Sequence, residues 1–437
     1  MASGHISIRT KPEPQPVSEL PPVPVRRGPI QRAADRFPAI ESFAYSDFRW
    51  LWVSALTSYL GMNMQWITRS WLVLKLADDS PLALASVIVT FALPMTVFSP
   101  IGGALADRIS RKRMMLYTQA GNAVLTLVVG LLDLTGVIEL WHVLLSGLIN
   151  GSLMAFNMPS RQATVSDIIP NNKLMNGMSL MSSSMNATRI IGPAIAGVLI
   201  LFVGTSGVFF LISGIYVLAV LTVLPITVGS EGQKKSGKSM YGDILEGLSY
   251  ARRSSPLLGL IIMAFIPILF GMSLYALMPA WARETLDVQS DNLGGLYAVM
   301  GIGALIGSLG LASIPRFERR GLLLLSSCAI WGIVLAVVAK MGSYNVVMPM
   351  LLFLGLVSSM FMSLNMTLVQ AYTSPEMRGR MMSIVMMTFG AMPLSALPLG
   401  ALAERIGSGN ALFASGIMLT VFSIGFAIVY PSFLKIK

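Results

Sequence analysis

From about residue 49 onward, long apolar runs alternate with short polar breaks. A helix needs roughly 20 apolar residues to cross the hydrocarbon of a bilayer. Twelve runs reach that length, near 49–76, 83–105, 114–134, 139–160, 174–203, 206–229, 256–282, 292–314, 321–341, 345–371, 379–403 and 409–432. The pattern predicts an all-α membrane protein with twelve transmembrane helices, because a helix satisfies its own backbone hydrogen bonds in lipid. The longest polar break contains GSEGQKKSGKS and then the amphipathic stretch YGDILEGLSYARR, and it parts the spans into two sets of six. The expected organisation is a tail over 1–48, a six-helix bundle over 49–229, a linker over 230–255 and a second bundle over 256–437. In the tail, PEPQPV, PPVPV and RRGP favour extended, disordered chain, and no apolar core follows the early charges as in a signal peptide.

The two sets look like parallel copies. Pro170 is followed by Lys173, Pro193 and Gly204, and Pro375 by Arg378, Pro398 and Gly409. The spacings are the same in both, which predicts two pseudo-symmetric bundles.

Composition narrows the function. The chain of 437 residues is 54% hydrophobic and 12% charged, about half the charge fraction of a soluble protein. Its net charge of +11 fits lipid headgroups and cytoplasmic loops better than nucleic acid. The basic residues are one-sided. Arg108, Arg111, Lys112 and Arg113 crowd one loop and five more occupy the linker, whereas Lys75, Arg283, Lys340 and Arg405 stand near the opposite ends of spans. Positive loops stay inside, so both termini are expected in the cytoplasm and the chain in the cell membrane. The single cysteine, Cys328, and the distant His5 and His142 form neither a disulfide framework nor a metal site. No nucleophile–base pair or phosphate loop is present, so neither an enzyme nor a cofactor is expected.

The segment from Gly103 to Arg113, GALADRISRKR, lies between the second and third spans. It resembles the G-x-L-A-D-R-x-G-R-K loop of the major facilitator superfamily, with Ser110 in place of a glycine. The resemblance implies the major facilitator fold. It also implies a conformational role for Gly103, Asp107, Arg108, Arg111 and Lys112, with Asp107 contacting the start of helix eleven near Met377 to Met381. The second half holds only a decayed counterpart, RFERR, with Pro315 where Asp107 stands in the first. In the fifth span, Arg189, Gly192, Pro193 and Gly197 resemble the antiporter motif G-P-x-x-G-G, with Ala196 replacing one glycine. Pro193 removes a helix hydrogen bond and the small residues permit a close, bendable crossing. MPSRQATVSDIIPNNKLMNG and PEMRGRMMSIV resemble the exporter branch that includes the enterobactin exporter and macrolide efflux proteins. That branch implies a coupling proton. Drug antiporters of the superfamily also carry an R-x-x-Q-G arginine inside helix four. Here Arg161 falls past the end of the predicted span, so that role does not carry over.

Polar residues inside spans mark the expected pathway. At 100° per residue, Ser146, Asn150, Asn157 and Arg161 share an arc of about 60°, and Ser179, Ser182, Asn186 and Arg189 one of about 80°. Ser58, Gln65 and Arg69 share a face of the first span, with Asn63 and Trp66 alongside; Ser358, Asn365 and Tyr372 align in the tenth. The candidate substrate residues are therefore Asn63, Gln65, Arg69, Asn150, Asn157, Asn186, Arg189 and Asn365. Ser and Asn also bond between helices in ordinary bundles, which is the plainer reading for any one of them. The 30 methionines suit an adaptable apolar surface. No Asp, Glu or His lies mid-span, so a central proton carrier is missing. The expectation is a monomeric secondary exporter of small amphipathic molecules, uncharged or anionic, working by alternating access. An importer and a non-transporting receptor or scaffold are the alternatives.

Overall fold

A computed structural model describes residues 38–106, 109–170, 173–227, 240–313, 319–374, 377, 381, 384–385 and 387–436. All regular structure among them is helical. The first half contains α1 (Ser46–Leu76), α2 (Pro81–Ala106), α3 (Arg111–Leu134) and α4 (Leu140–Ile168). The stretch Leu174–Val223 follows, broken at Gly204 into α5 and α6. The second half contains α7, in which Ser255–Ile266 and Ser273–Leu286 flank a π-helical turn at Pro267–Gly271, then α8 (Ser290–Ser313), α9 (Arg320–Ala339) and α10 (Tyr344–Ala371). α11 is helical at Met381, Ile384, Val385, Met387 and Thr388, passes a 3-10 turn at Phe389–Ala391, and ends as Met392–Ile406. α12 is Ser408–Val429. The linker carries an amphipathic helix, Met240–Arg253.

Local chemistry sets the ends. Ser110 caps α3, its hydroxyl accepting from the Arg113 N–H at 3.4 Å. Glu139 and His142 cap α4 reciprocally. Asp78 and Asp79 make the left-handed turn between α1 and α2, with φ of 45° and 62°, a conformation Asp tolerates better than most residues. Gly204 (φ 68°) ends α5. Its counterpart in the second half is Gly407 (φ 87°), two residues before the Gly409 that the repeat spacing selects. Gly409 lies instead inside α12, where a Cβ would meet the Ala339 carbonyl at 3.0 Å.

The two halves pack alike. α2 lies against α4 in the first, and α8 against α10 in the second. Glycine makes both crossings close: a Cβ at Gly151 would stand 2.1 Å from the Phe91 carbonyl oxygen, and one at Gly303 1.9 Å from that of Leu352. The halves meet where α5 lies on α8 and α2 on α11.

Among the described residues, eight helical stretches are long and apolar enough to cross a membrane, one of them holding both α5 and α6. α1 and α4 fall outside that set because they carry Gln65, Arg69, Asn150, Asn157 and Arg161. Outward surfaces are apolar, as at Val124, Phe202, Leu309 and Val421.

Two expectations change. The polar turn after residue 160 predicts the end of the fourth span there, but α4 continues to Ile168. Arg161 is therefore inside it and 2% exposed, since its neighbours in the bundle, not lipid, receive that polar stretch. Folded chain also starts before Phe48. Pro38–Ala44 forms a 3-10 helix whose Ser42 hydroxyl donates to Asn176 Oδ1 at 2.6 Å, and Glu41 pairs with Lys173.

Candidate functional site

The polar residues of the first half divide into two groups. One lies buried among α1, α3, α4 and α6. Arg161 reaches from α4 to α1, its Nη2 donating to Ser58 Oγ at 3.0 Å and Asn157 Oδ1 at 3.2 Å. Its guanidinium lies over the Tyr59 ring, 5.2 Å from the centroid. Asn157 Nδ2 donates to Thr118 Oγ1 and Asn150 Nδ2 to Asn122 Oδ1, both at 2.7 Å. Gln119 Nε2 donates to Ser54 Oγ at 3.1 Å. Gln65 and Arg69 lie about two and three turns beyond Ser58 along α1 and are 2% and 3% exposed. Tyr216, from α6, fills the space opposite Gly61 and lies within electrostatic reach of both Arg69 and Arg161. An unpaired arginine at the centre of a membrane helix costs about 2.5–3.5 kcal/mol on insertion scales. Burial inside a polar seam is how this chain holds two.

The second group faces the boundary between halves. Along α5, Ser179, Ser182, Ser183, Asn186 and Arg189 are exposed on one side. The Arg189 guanidinium sits 4.9 Å from the ring centroid of Tyr275 in α7. The same side of α5 is then covered: a Cβ at Gly301 would stand 2.4 Å from Ile190 Cγ1, and one at Gly294 2.7 Å from the Pro193 carbonyl. Tyr297 of α8 donates to the Tyr275 carbonyl at 3.1 Å and lies beside Trp66 of α1. Asn63, half-buried, donates to the Tyr59 carbonyl at 2.8 Å and reaches Thr188 Oγ1 at 3.4 Å. The polar face is thus open toward the end where α1 begins and α12 finishes, and sealed toward the other.

The sealed end has a polar clasp between halves. Arg283 Nε pairs with Asp79 Oδ1 at 3.1 Å and lies over Trp71. Glu404 of α11 accepts from the Ser80 hydroxyl at 3.0 Å and the Leu82 N–H at 3.1 Å.

Of the other expected residues, Asn365 stands alone in the second half, donating to the Leu260 carbonyl at 3.0 Å. Gly192, Pro193 and Gly197 form a two-sided packing point. Gly192 lets α1 approach, with a Cβ there 2.7 Å from that of Asn63, while Pro193 and Gly197 meet α8. The non-helical residue inside Leu174–Val223 is Gly204, so the chain breaks there and not at Pro193. Arg111 donates to Asp167 Oδ2 and to the Ala163 carbonyl of α4, and Lys112 to the carbonyls of Leu224 and Ile226 past α6. The basic turn is therefore fastened to two helix ends. Gly103 lies in the last turns of α2, and Asp107 and Arg108 lie outside the described residues. Tyr216, Gln119, Tyr275 and Tyr297 carried no signal in the sequence, because an isolated Tyr or Gln in an apolar run fits any packed face.

The family described as transmembrane secretion effector matches residues 39–434. Macrolide efflux protein A of Streptococcus pyogenes is 24% identical over 394 residues, covering 88% of this chain and 94% of its own. The staphyloferrin A transporter of Staphylococcus aureus is 24% identical over 374 residues, covering 84% and 92%. Among solved structures, a bacterial homologue of the human lysosomal transporter Spinster, inward-facing and unoccupied, has a TM-score of 0.70 at 14% identity, covering 89% of this chain and 97% of its own. A single-residue mutant of the nucleoside transporter NupG has a TM-score of 0.72 at 12% identity, covering 89% and 100%.

Proposed function

The chain belongs to the transmembrane secretion effector family of the major facilitator superfamily, and we propose that it exports small amphipathic organic molecules across the cell membrane by alternating access. The observation that carries this reading is the α5 face, exposed from Ser179 to Arg189 and covered from Ile190 onward. A polar pathway open at one end and closed at the other is one of the two states that alternating access requires. α1 begins and α12 finishes at the open end, where Arg111, Lys112, Arg113, Arg252, Arg253, Arg319 and Arg320 also stand, which supports a cytoplasmic assignment and an inward-facing state. The names of the efflux relatives support outward movement and a drug-like or siderophore-like cargo.

In this reading the bundles 49–229 and 256–437 rock about the α5–α8 and α2–α11 contacts, and the chain works as a monomer. Asn63, Asn186 and Arg189 meet the cargo at the boundary, and Asp107 latches the cytoplasmic end. The coupling proton enters through carboxylates at helix ends, since Asp, Glu and His are absent from mid-span positions. Efflux from inside-out and right-side-out vesicles, with macrolides and hydroxycarboxylate siderophores as cargo and an imposed pH gradient, tests the reading. Export of at least one cargo, lost in Arg189→Ala, is expected. Accumulation in the opposite direction makes the protein an importer, and no flux with any cargo leaves a receptor.

A further inference from the structure

The buried seam of the first half holds two cationic groups and, among the described residues, no anionic one. Arg69 Nε and Nη2, Arg161 Nε and Nη1, both amide atoms of Gln65, Gln119 Oε1 and the Tyr216 hydroxyl are buried with no hydrogen-bond partner. These groups belong to α1, α3, α4 and α6. The carboxylates of α1, α3 and α4 are engaged elsewhere: Asp47 accepts from Thr227, Asp133 from Thr205, and Asp167 from Arg111. Two guanidinium charges are thus enclosed with no carboxylate beside them among the described residues. Buried charges require a partner of opposite sign.

The free atoms of Arg69 have a particular geometry. Nε and Nη2 lie on one edge of the planar group, the edge a carboxylate engages with two parallel bonds. A single spherical ion uses that fork less well. Tyr216 and Gln65 add neutral donors nearby, and Gln65 and Arg69, four residues apart on α1, share a helix face. Among the described residues, the second half buries no Arg, Lys or Gln.

We infer that this seam is a binding site for a carboxylate, either free or borne by a larger molecule, held on the free Nε–Nη2 edge of Arg69 with Gln65 and Tyr216 as neutral partners and the charge of Arg161 in the same enclosed seam. The site lies within one bundle and is distinct from the boundary residues Asn186 and Arg189. Binding to it is measured without any transport, so its failure would leave the exporter reading standing.

The test is thermal unfolding of the full-length chain purified in detergent, titrated with sodium acetate or 2-naphthoate, with chloride replaced at constant ionic strength. A ligand that binds the native state alone raises the unfolding temperature in a saturable way. Acetate or naphthoate should do so at concentrations where chloride does not. Arg69→Lys, which keeps the charge and loses the fork, should move the midpoint about tenfold to higher concentration. Tyr216→Phe should move it less, and it preserves the packing against Gly61 if the arginine variants fold poorly. A lower midpoint for naphthoate than for acetate assigns the carboxylate to an organic cargo; equal or reversed midpoints assign it to a free small anion. No carboxylate-specific rise in the wild type overturns the inference. So does a rise that Arg69→Lys, Arg161→Gln and Tyr216→Phe all leave unchanged, since the anion would then sit on the exposed basic residues.

Discussion

The two halves share a packing scheme and differ in what they bury. In the first, the interior holds Arg69, Arg161, Gln65, Gln119, Asn122, Asn150 and Asn157. In the second, it holds Trp281, Trp331, Phe361 and Cys328, with Asn365 satisfied by one carbonyl. Repeated helix crossings therefore do not require repeated interiors. Close approach at glycine is backbone geometry and is the same in both halves. The polar seam is side-chain chemistry and, among the described residues, exists once. One half packs its interior on hydrocarbon and the other on charged and amide groups.

The largest effects should come from the shared feature. Gly151→Val and Gly303→Val each put side-chain atoms within about 2 Å of a carbonyl oxygen on the neighbouring helix. Overpacking of this kind costs about 1–3 kcal/mol or more. Both variants should lose monodisperse, folded protein on size-exclusion chromatography. If Gly303→Val is tolerated and Gly151→Val is not, the halves are less alike than their crossings.

The next effect should separate the halves. Arg161 has no carboxylate partner to leave stranded, and removing an unpaired buried charge relieves its desolvation cost. Arg161→Leu should therefore keep or raise the unfolding temperature while vesicle efflux falls about tenfold, roughly 1.4 kcal/mol. Asn365→Leu should behave oppositely: efflux close to wild type, with about 1 kcal/mol of stability lost with the bond to Leu260. Equal losses of efflux in the two variants would remove the functional contrast.

A smaller effect is expected at the clasp that joins the halves at their sealed end. Glu404→Gln and Asp79→Asn weaken partly exposed contacts, worth about 0.2–1 kcal/mol each. Each should raise the labelling rate of Ala280→Cys by a membrane-impermeant thiol reagent about two- to fivefold, in a Cys328→Ser background. Unchanged labelling would mean that the α5–α8 and α2–α11 contacts alone hold that end shut.

The sequence by itself determined that the chain is helical, spans a membrane repeatedly and belongs to this superfamily. Run length, one-sided basic loops and the Gly103–Arg113 motif are local properties, and a bilayer leaves few folds open to them. It also determined that Ser146, Asn150, Asn157 and Arg161 share one face and Ser179, Ser182, Asn186 and Arg189 another, because helical periodicity needs no tertiary information. Only the tertiary structure decided what those faces meet. The first is buried against α1 and α3 and the second is exposed beside α7, though both read alike as polar stripes. The end of α4 was hidden for the same reason: hydropathy falls after residue 160, yet the helix continues because Arg111 and Ser58 receive Asp167 and Arg161. Tyr216 joined the seam only when α6 packed on Gly61. A side chain's partner comes from a helix far away in sequence, and no local pattern specifies that helix.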